Sequence, residues 1–232
     1  MNKISKLTAD FFSLFFPDTC CSCGRSLAGN EHVVCTACLY ELPYTDFHLQ
    51  PDNPVARQFW GRVPLVSAGA FLYFQKHSRV QNIIHQLKYN HRPEVGVWLG
   101  KMYGRQLKKK TDEDPFNFVI PVPLHKSREK TRGYNQSECI AAGLSAILHI
   151  PVETTILRRN VATQTQTHKS RISRFENMKN AFSLNDPGRL IGTHILLVDD
   201  VITTGATLEA CALQLLSVPA VRVSVAAAAF AI

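Results

Sequence analysis

An apolar run, Ile195 to Val198, ends in two acids, Asp199 and Asp200, and continues as Val201-Ile202-Thr203-Thr204-Gly205-Ala206-Thr207. This is the pattern of a buried strand that meets a hydroxyl-rich turn and then opens a helix. The first N–H groups of a helix have no intrahelical partner and carry partial positive charge, so such a turn can hold a phosphate monoester. Thr203, Thr204 and Thr207 add hydroxyl donors, and Gly205 allows close backbone approach. Asp199 and Asp200 can accept hydrogen bonds from two ribose hydroxyls and help position a divalent cation. A plain helix cap with dipole-facing acids accounts for some of these residues, but not for two acids and three threonines in this order.

A second cluster is built from sulfur. Cys20-x2-Cys23 is followed after eleven residues by Cys35-x2-Cys38. Each Cys-x-x-Cys turn can point both sulfurs to one side, and two turns supply the four thiolates of a structural zinc site with no open position for catalysis. A redox pair or plain reduced thiols are the alternatives. Cys21 competes for the first pair at a less suitable spacing, His32 is a further possible ligand that reads better as a bystander, and Gly24 supplies the permissive backbone of the first turn. Cys139 and Cys211 fall in helical apolar patterns and read as core. An odd total of seven cysteines, four of them in these pairs, argues against a disulfide framework and for a reducing compartment.

A third feature is basic. After the strand-like Phe118 to Pro123 come His125, Lys126, Arg128, Lys130 and Arg132, a lining that a diphosphate needs and that a solvated surface loop can also show. The polar stretch from Asn160 to Lys179, with Lys169, Arg171 and Arg174, is longer than ordinary loops.

The elements that must position these groups alternate. Strands are expected at Val66 to Phe74, Phe118 to Pro123, Val152 to Leu157, His194 to Asp199 and Val221 to Ala229. Helices are expected at Val80 to Tyr89, from about Glu94 to Lys110, at Ser137 to Leu148, and around Leu208 to Leu216. From Phe116 on, this is the alternation of an α/β protein with a mostly parallel sheet. Three regions are expected: an N-terminal helix and cysteine module over 1–48, a linker and packing stretch over 49–64, and an α/β domain over 65–232.

The bulk properties narrow the class. With 232 residues and 45% hydrophobic content the chain can bury a sizeable core, and a formal charge of +8 favours anionic partners. Ile4 to Phe16 carries phenylalanines but is broken by Asp10 and lacks a cleavage signal, so it reads as an amphipathic helix docked on the protein, with membrane-surface association the alternative. No segment reads as a membrane span, and a cytoplasmic location is expected.

Leu196 to Thr207 resembles the phosphoribosyl diphosphate (PRPP) binding motif of type I phosphoribosyltransferases at every position. The segments Pro121-Val-Pro123-Leu-His125 and Arg132-Gly133-Tyr134-Asn135-Gln136, then Gln166, Arg174, Asn177 and Ala181-Phe182, together with the cysteine module, resemble the ComF (ComFC-like) family over nearly the whole chain. Tyr134 stands where that family commonly has Phe. The resemblance implies a type I phosphoribosyltransferase fold with an N-terminal four-cysteine zinc ribbon, a hood over 65–115 and a PRPP-binding core over 116–232. It assigns the ribose hydroxyls to Asp199 and Asp200, which would carry catalysis, and the 5′-phosphate to the turn, for which Val201, Thr203, Thr204, Gly205, Ala206 and Thr207 are the candidates. It places pyrophosphate at the loop after the strand, with His125, Lys126, Arg128 and Arg132 as candidates, and makes the long loop with Lys169, Arg171 and Arg174 a flexible closure. The implied cofactors are structural Zn2+ and Mg2+ with PRPP.

Two functions follow. One is an enzyme that transfers phosphoribose from PRPP to an acceptor in the context of DNA uptake and natural transformation. The other is a PRPP-sensing adaptor that binds single-stranded DNA and works with a competence helicase or other DNA-processing proteins. No motif from Val66 to Lys110 translates into a purine or pyrimidine edge, so the acceptor is not legible.

Overall fold

The computed structural model describes residues 18–111, 114–160 and 181–232. Its helices and strands run in the order α1 (Thr36–Tyr40), α2 (Pro54–Arg57), β1 (Ala68–Phe74), α3 (Arg79–Tyr89), α4 (Pro93–Thr111), β2 (Phe118–Pro121), α5 (Lys126–Arg132), α6 (Gln136–Leu148), β3 (Leu157–Arg159), β4 (Phe182–Leu184), β5 (His194–Ile202), α7 (Ala206–Leu216) and β6 (Arg222–Ala231). Short 3-10 turns occupy Phe47–Leu49 and Pro187–Leu190.

The main sheet has the order β1-β6-β5-β2, and every neighbouring pair is parallel. Parallel strands are covered on both faces and so read as continuous apolar runs. In β5, Ile195 and Leu197 pack on one side with α7, while Leu196 and Val198 pack on the other with α3, α4 and α6. β6 divides in the same way, with Val223 and Val225 on the α7 side and Ala226 and Ala228 on the other. The expected architecture, a parallel sheet flanked by helices with a four-cysteine module, is what the chain adopts.

One expected strand is corrected. Val152 makes only a single parallel bridge, to Val119, and the chain then leaves the sheet. The Glu153 carboxylate accepts from Thr155 N at 2.7 Å and Thr155 Oγ1 at 2.6 Å, which turns the backbone outward. β3 pairs instead with β4 as a separate antiparallel ribbon. The basic segment after β2 differs as well: it forms α5, whose N-cap His125 accepts from Ser127 N, with Gly133 ending it in the left-handed region at φ 79°. The stretch 43–64 places Phe47, Val55, Ala56, Phe59 and Val63 in the core on the α7 side.

The helix that presents the site to β2 and β5 is held by close backbone contact. Gly96, Gly100 and Gly104 of α4 face Cys139, Ile140 and Ile147 of α6. A Cβ at Gly100 would lie 2.1 Å from the Ile140 carbonyl oxygen, and one at Gly143 would lie 2.2 Å from that of Val97. Neither backbone can yield without moving its helix. Gly143→Ala should therefore cost about 1–3 kcal/mol or more in urea unfolding. Gly188→Ala, whose Cβ would meet nothing closer than Asp186 Oδ1 at 4.0 Å, should leave the midpoint in place.

Among the described residues no helix is long and apolar enough to cross a membrane.

Candidate functional site

α6, which comes after β2 and α5, and α7, which follows β5, pack on opposite faces of the sheet, since α6 lies with Val119 and Val198 and α7 with Ile120 and Leu197. Where consecutive connections part in this way, a crevice opens at the carboxyl ends of the strands, and ligands bind there in open α/β sheets. β2 and β5 are neighbours, with Pro121 opposite Val198, so Asp199 and Asp200 emerge at the mouth of that crevice.

The two acids have different surroundings. Asp199 Oδ1 accepts from Ser137 Oγ at 3.0 Å and from Asp200 N at 2.8 Å. Ser137 sits in the first turn of α6, where the Asn135 side chain accepts from Ser137 N and its Nδ2 donates to the Val122 carbonyl at 3.0 Å. α6 is thereby tied to the end of β2. Asp200 Oδ1 accepts from Lys88 Nζ at 2.9 Å, a pair in which the side chains are only 15% and 21% exposed. Burial, with repulsion from Asp200 second, pushes the Asp199 carboxyl up to about 7.

That shift has a sign. A carboxyl raised in the folded state holds its proton where the unfolded chain has lost it, so its contribution to stability is complete at acid pH and lost as pH rises toward 7 and beyond. Asp199→Asn should remove this loss. Thermal unfolding from pH 5 to pH 8 should show the variant holding its Tm where the parent declines, with an upper bound of ~4 kcal/mol at pH 8. Parallel decline in both proteins would contradict the assignment.

Beyond the acids the chain makes its turn. Thr203 and Thr204 are exposed, Val201, Ala206 and Thr207 are half-buried, and Gly205 takes φ 72° immediately before α7. No side chain caps α7, so the turn and helix start carry N–H groups free of side-chain competition. Gly205 is doubly constrained, because a Cβ there would lie 3.0 Å from Phe59 Cζ. Gln58 Nε2 donates to the Thr203 carbonyl at 2.9 Å, and Arg62 pairs with the buried Glu209 of α7. The 58–62 stretch therefore backs the turn, a role with no signal in its aperiodic sequence.

Of the basic candidates, Arg128 and Arg132 line a cleft of about 370 Å3 with Lys88, Tyr89, His91, Ser127 and Thr131. The Arg132 guanidinium lies 5.5 Å from the centre of the Tyr89 ring and donates to Gln136 Oε1 at 2.8 Å. His125 acts as the cap of α5, and Lys126 is exposed; neither lines the cleft. Lys88 joins the cleft to Asp200, and sequence reading missed it along with Ser137, Gln58 and Phe59. Lys169, Arg171 and Arg174 lie outside the described residues.

The cysteine module packs against α3 and α4. The Sγ atoms of Cys20, Cys23, Cys35 and Cys38 all lie within 4.8 Å of one another, and Cys23 and Cys35 are 3.9 Å apart. A tetrahedron with zinc–sulfur bonds of ~2.3 Å has edges of roughly 3.8 Å, so the four sulfurs fit such an ion. Cys35 N donates to Cys20 Sγ at 3.3 Å, and Gly24 turns the first knuckle at φ 77°. Hydrogen bonds to Arg25 lower the Cys23 thiol to about 6. Cys21 is buried outside the cluster, and His32 is not part of it.

No family model matches the chain. It is similar to DNA utilization protein YhgH of Escherichia coli O157:H7, with 32% identity over 210 residues, 89% of this chain and 87% of the relative. It is also similar to competence protein F of Haemophilus influenzae, with 45% identity over 92 residues (39% and 40%), and to competence protein ComFC of Bacillus subtilis, with 35% over 98 residues (42% and 38%). Among solved structures, glutamine PRPP amidotransferase from B. subtilis matches 61% of this chain and 30% of its own at 23% identity and a TM-score of 0.41. The purine phosphoribosyltransferase of Pyrococcus horikoshii matches 57% and 81% at 18% identity and a TM-score of 0.37. With a relative matched at 32% identity over most of both chains, and the cysteine cluster and the strand–acid–turn both in place, the chain belongs to the ComF family.

Proposed function

We propose that the crevice binds PRPP with Mg2+ and supports transfer of its phosphoribosyl group to an acceptor, in a protein that serves DNA uptake or utilization, a setting supported by relatives named for competence and for DNA utilization. The observation that carries this reading is the placement of Asp199 and Asp200 near the carboxyl end of β5, just past its last pair with β2, ahead of the turn to an uncapped helix start and with Asp200 beside Lys88. The turn from Thr203 to Thr207 would hold the 5′-phosphate through N–H and hydroxyl donors. Asp199 and Asp200 would accept from the ribose hydroxyls and stabilise positive charge developing at C1′ as the bond to pyrophosphate breaks. Lys88, Arg128 and Arg132 would neutralise the diphosphate in their cleft, while His125 and Lys126, at the start of α5, would act from outside its lining. The carboxylate pair offers the hard oxygens that Mg2+ prefers, and the ion would supply charge neutralisation of the leaving diphosphate. The 65–115 region, which contributes Lys88 and Tyr89, would form the hood over the acceptor. The cysteine cluster would hold a structural Zn2+.

A second reading is favoured by one observation. Tyr89 is 60% exposed, its ring centroid lies 4.8 Å from that of His85, and Arg132 covers it. An exposed aromatic in a basic cleft suits stacking of a base of single-stranded DNA. Pyrophosphate release from PRPP and Mg2+, assayed with bases, nucleosides and single-stranded DNA as acceptors, separates the two: acceptor-dependent release supports the transferase, and PRPP binding without release supports the adaptor.

A further inference from the structure

Two adjacent acids repel each other, and in a largely buried setting that repulsion is little screened, so a counter-ion is needed beside them. Lys88 supplies it. Its ammonium lies 2.9 Å from Asp200 Oδ1 in a pair largely shielded from water, and its charge reaches Asp199 as well. The contact is of an exchangeable kind. An ammonium is a point charge on a flexible four-carbon stem, and here it makes one bond, to Oδ1. The Arg222 guanidinium, which grips both oxygens of Asp114 at 2.8 Å, shows the contrasting fixed arrangement.

The backbone that carries Lys88 is held. α3 buries Leu87 in the core, the Tyr134 hydroxyl donates to the Leu87 carbonyl at 2.5 Å, the Arg132 guanidinium covers the Tyr89 ring, and His91 Nδ1 lies 3.2 Å from the Arg132 carbonyl oxygen. Motion is left to the side chain. Lys88 also lines the basic cleft with Arg128 and Arg132, so one ammonium stands between an acid and an anion cradle.

We infer that Lys88 is an exchangeable counter-ion that keeps a divalent cation off Asp199 and Asp200 in the ligand-free protein and yields the acids when a diphosphate in the cleft draws it away. The inference rests on the proposed PRPP site and adds an order of binding to it. Mg2+ takes a carboxylate oxygen at about 2.1 Å. With the ammonium 2.9 Å from the same oxygen, the two cations would stand at most about 5 Å apart, and their repulsion is strong where water is scarce. A bound diphosphate changes the balance, because it carries more charge than one carboxylate and lies where Arg128 and Arg132 line the cleft. Moving Lys88 there removes the repulsion and opens both acids to the ribose hydroxyls and the ion together. PRPP and the metal are therefore positively coupled, and the coupling passes through one side chain.

Electron paramagnetic resonance of free Mn2+, titrated into the zinc-loaded full-length protein without PRPP, tests this. Lys88→Met should bind Mn2+ at least tenfold more tightly than the parent. Lys88→Arg keeps the charge and should stay at the parent's level, and adding Asp200→Asn to Lys88→Met should remove the gain. Lys88→Gln repeats the measurement if Lys88→Met fails to fold. Calorimetric titration with PRPP and Mg2+ should show the opposite sign, with binding weakened at least tenfold in Lys88→Met, whereas a merely structural ion pair would move both affinities together or neither. Equal Mn2+ affinity in the parent and Lys88→Met, a gain that survives Asp200→Asn, or full PRPP affinity in Lys88→Met would overturn the inference. A parent that binds no PRPP would instead refute the donor reading, and because the Mn2+ titration contains no PRPP the two failures are distinguishable.

Discussion

Replacing Asp199 and Asp200 together by Asn is expected to abolish measurable PRPP–Mg2+ binding while leaving the fold intact. Both side chains keep their size, and Asn can still accept from Ser137 Oγ and from the backbone N–H that now meet Asp199. Two changes act at the ligand. The carboxylates that would accept from the ribose hydroxyls become weaker acceptors, and the negative field that attracts the cation disappears. Hydrogen bonds to charged groups contribute roughly 1.5–3 kcal/mol each. Losing two, and with them the cation, should weaken binding by a factor on the order of 10² to 10⁴. Single substitutions should separate the roles: Asp200→Asn also releases Lys88, whereas Asp199→Asn leaves that pair intact. Isothermal titration at fixed Mg2+ measures all three variants, and unaltered binding in the double variant would remove the acids from the donor site.

Metal removal is the second large effect. Cys20, Cys35, Cys38, Val33, Val34 and Leu42 share one apolar cluster with Ile83, Leu87 and Leu99 of α3 and α4. The module is joined to α3 by a hydrogen bond from Asn82 Nδ2 to the Ser22 carbonyl at 2.8 Å and by the Arg79–Glu41 pair. A structural zinc can contribute on the order of 10 kcal/mol to such a module, so stripping it should open the 18–42 segment and expose one face of α3 and α4. Cys38→Ser, at the most buried position of the cluster, should abolish the one-per-chain zinc expected of the proposed site and lower the Tm by about ten degrees or more. Metal analysis of the protein with its thiols intact is the check, and an absence of zinc there would sink the assignment.

Much of this was legible in the sequence because it is local. The strand, two acids and threonine turn are contiguous, so one helix start and one strand end suffice to place them. The Cys-x-x-Cys pairs likewise fix their own geometry. The site's supporting residues come from elsewhere. Lys88 reaches Asp200 across 112 positions of sequence, and Gln58 supports Thr203 across 145. Such approaches are made by tertiary packing, which no local pattern encodes. A partial signal existed for Lys88, a cation directly after the buried Leu87 at the end of an amphipathic helix. Ser137 had another, two residues after an Asn of N-cap type. The departure of the chain after Val152 was hidden because Val152 to Leu157 carries enough β-branched residues for a strand, and the turn depends on one Glu side chain bonding two positions ahead. The basic segment after β2 lacked an apolar face, so nothing periodic marked α5; its helix depends on the His125 cap and Gly133.

The most direct test of the central claim is calorimetric titration of the zinc-loaded full-length protein with PRPP, with and without Mg2+. The proposed function predicts saturable one-to-one binding that Mg2+ strengthens and that strengthens further between pH 6 and pH 8 as Asp199 ionises. Absence of binding at any Mg2+ concentration in a folded, zinc-replete protein would contradict it.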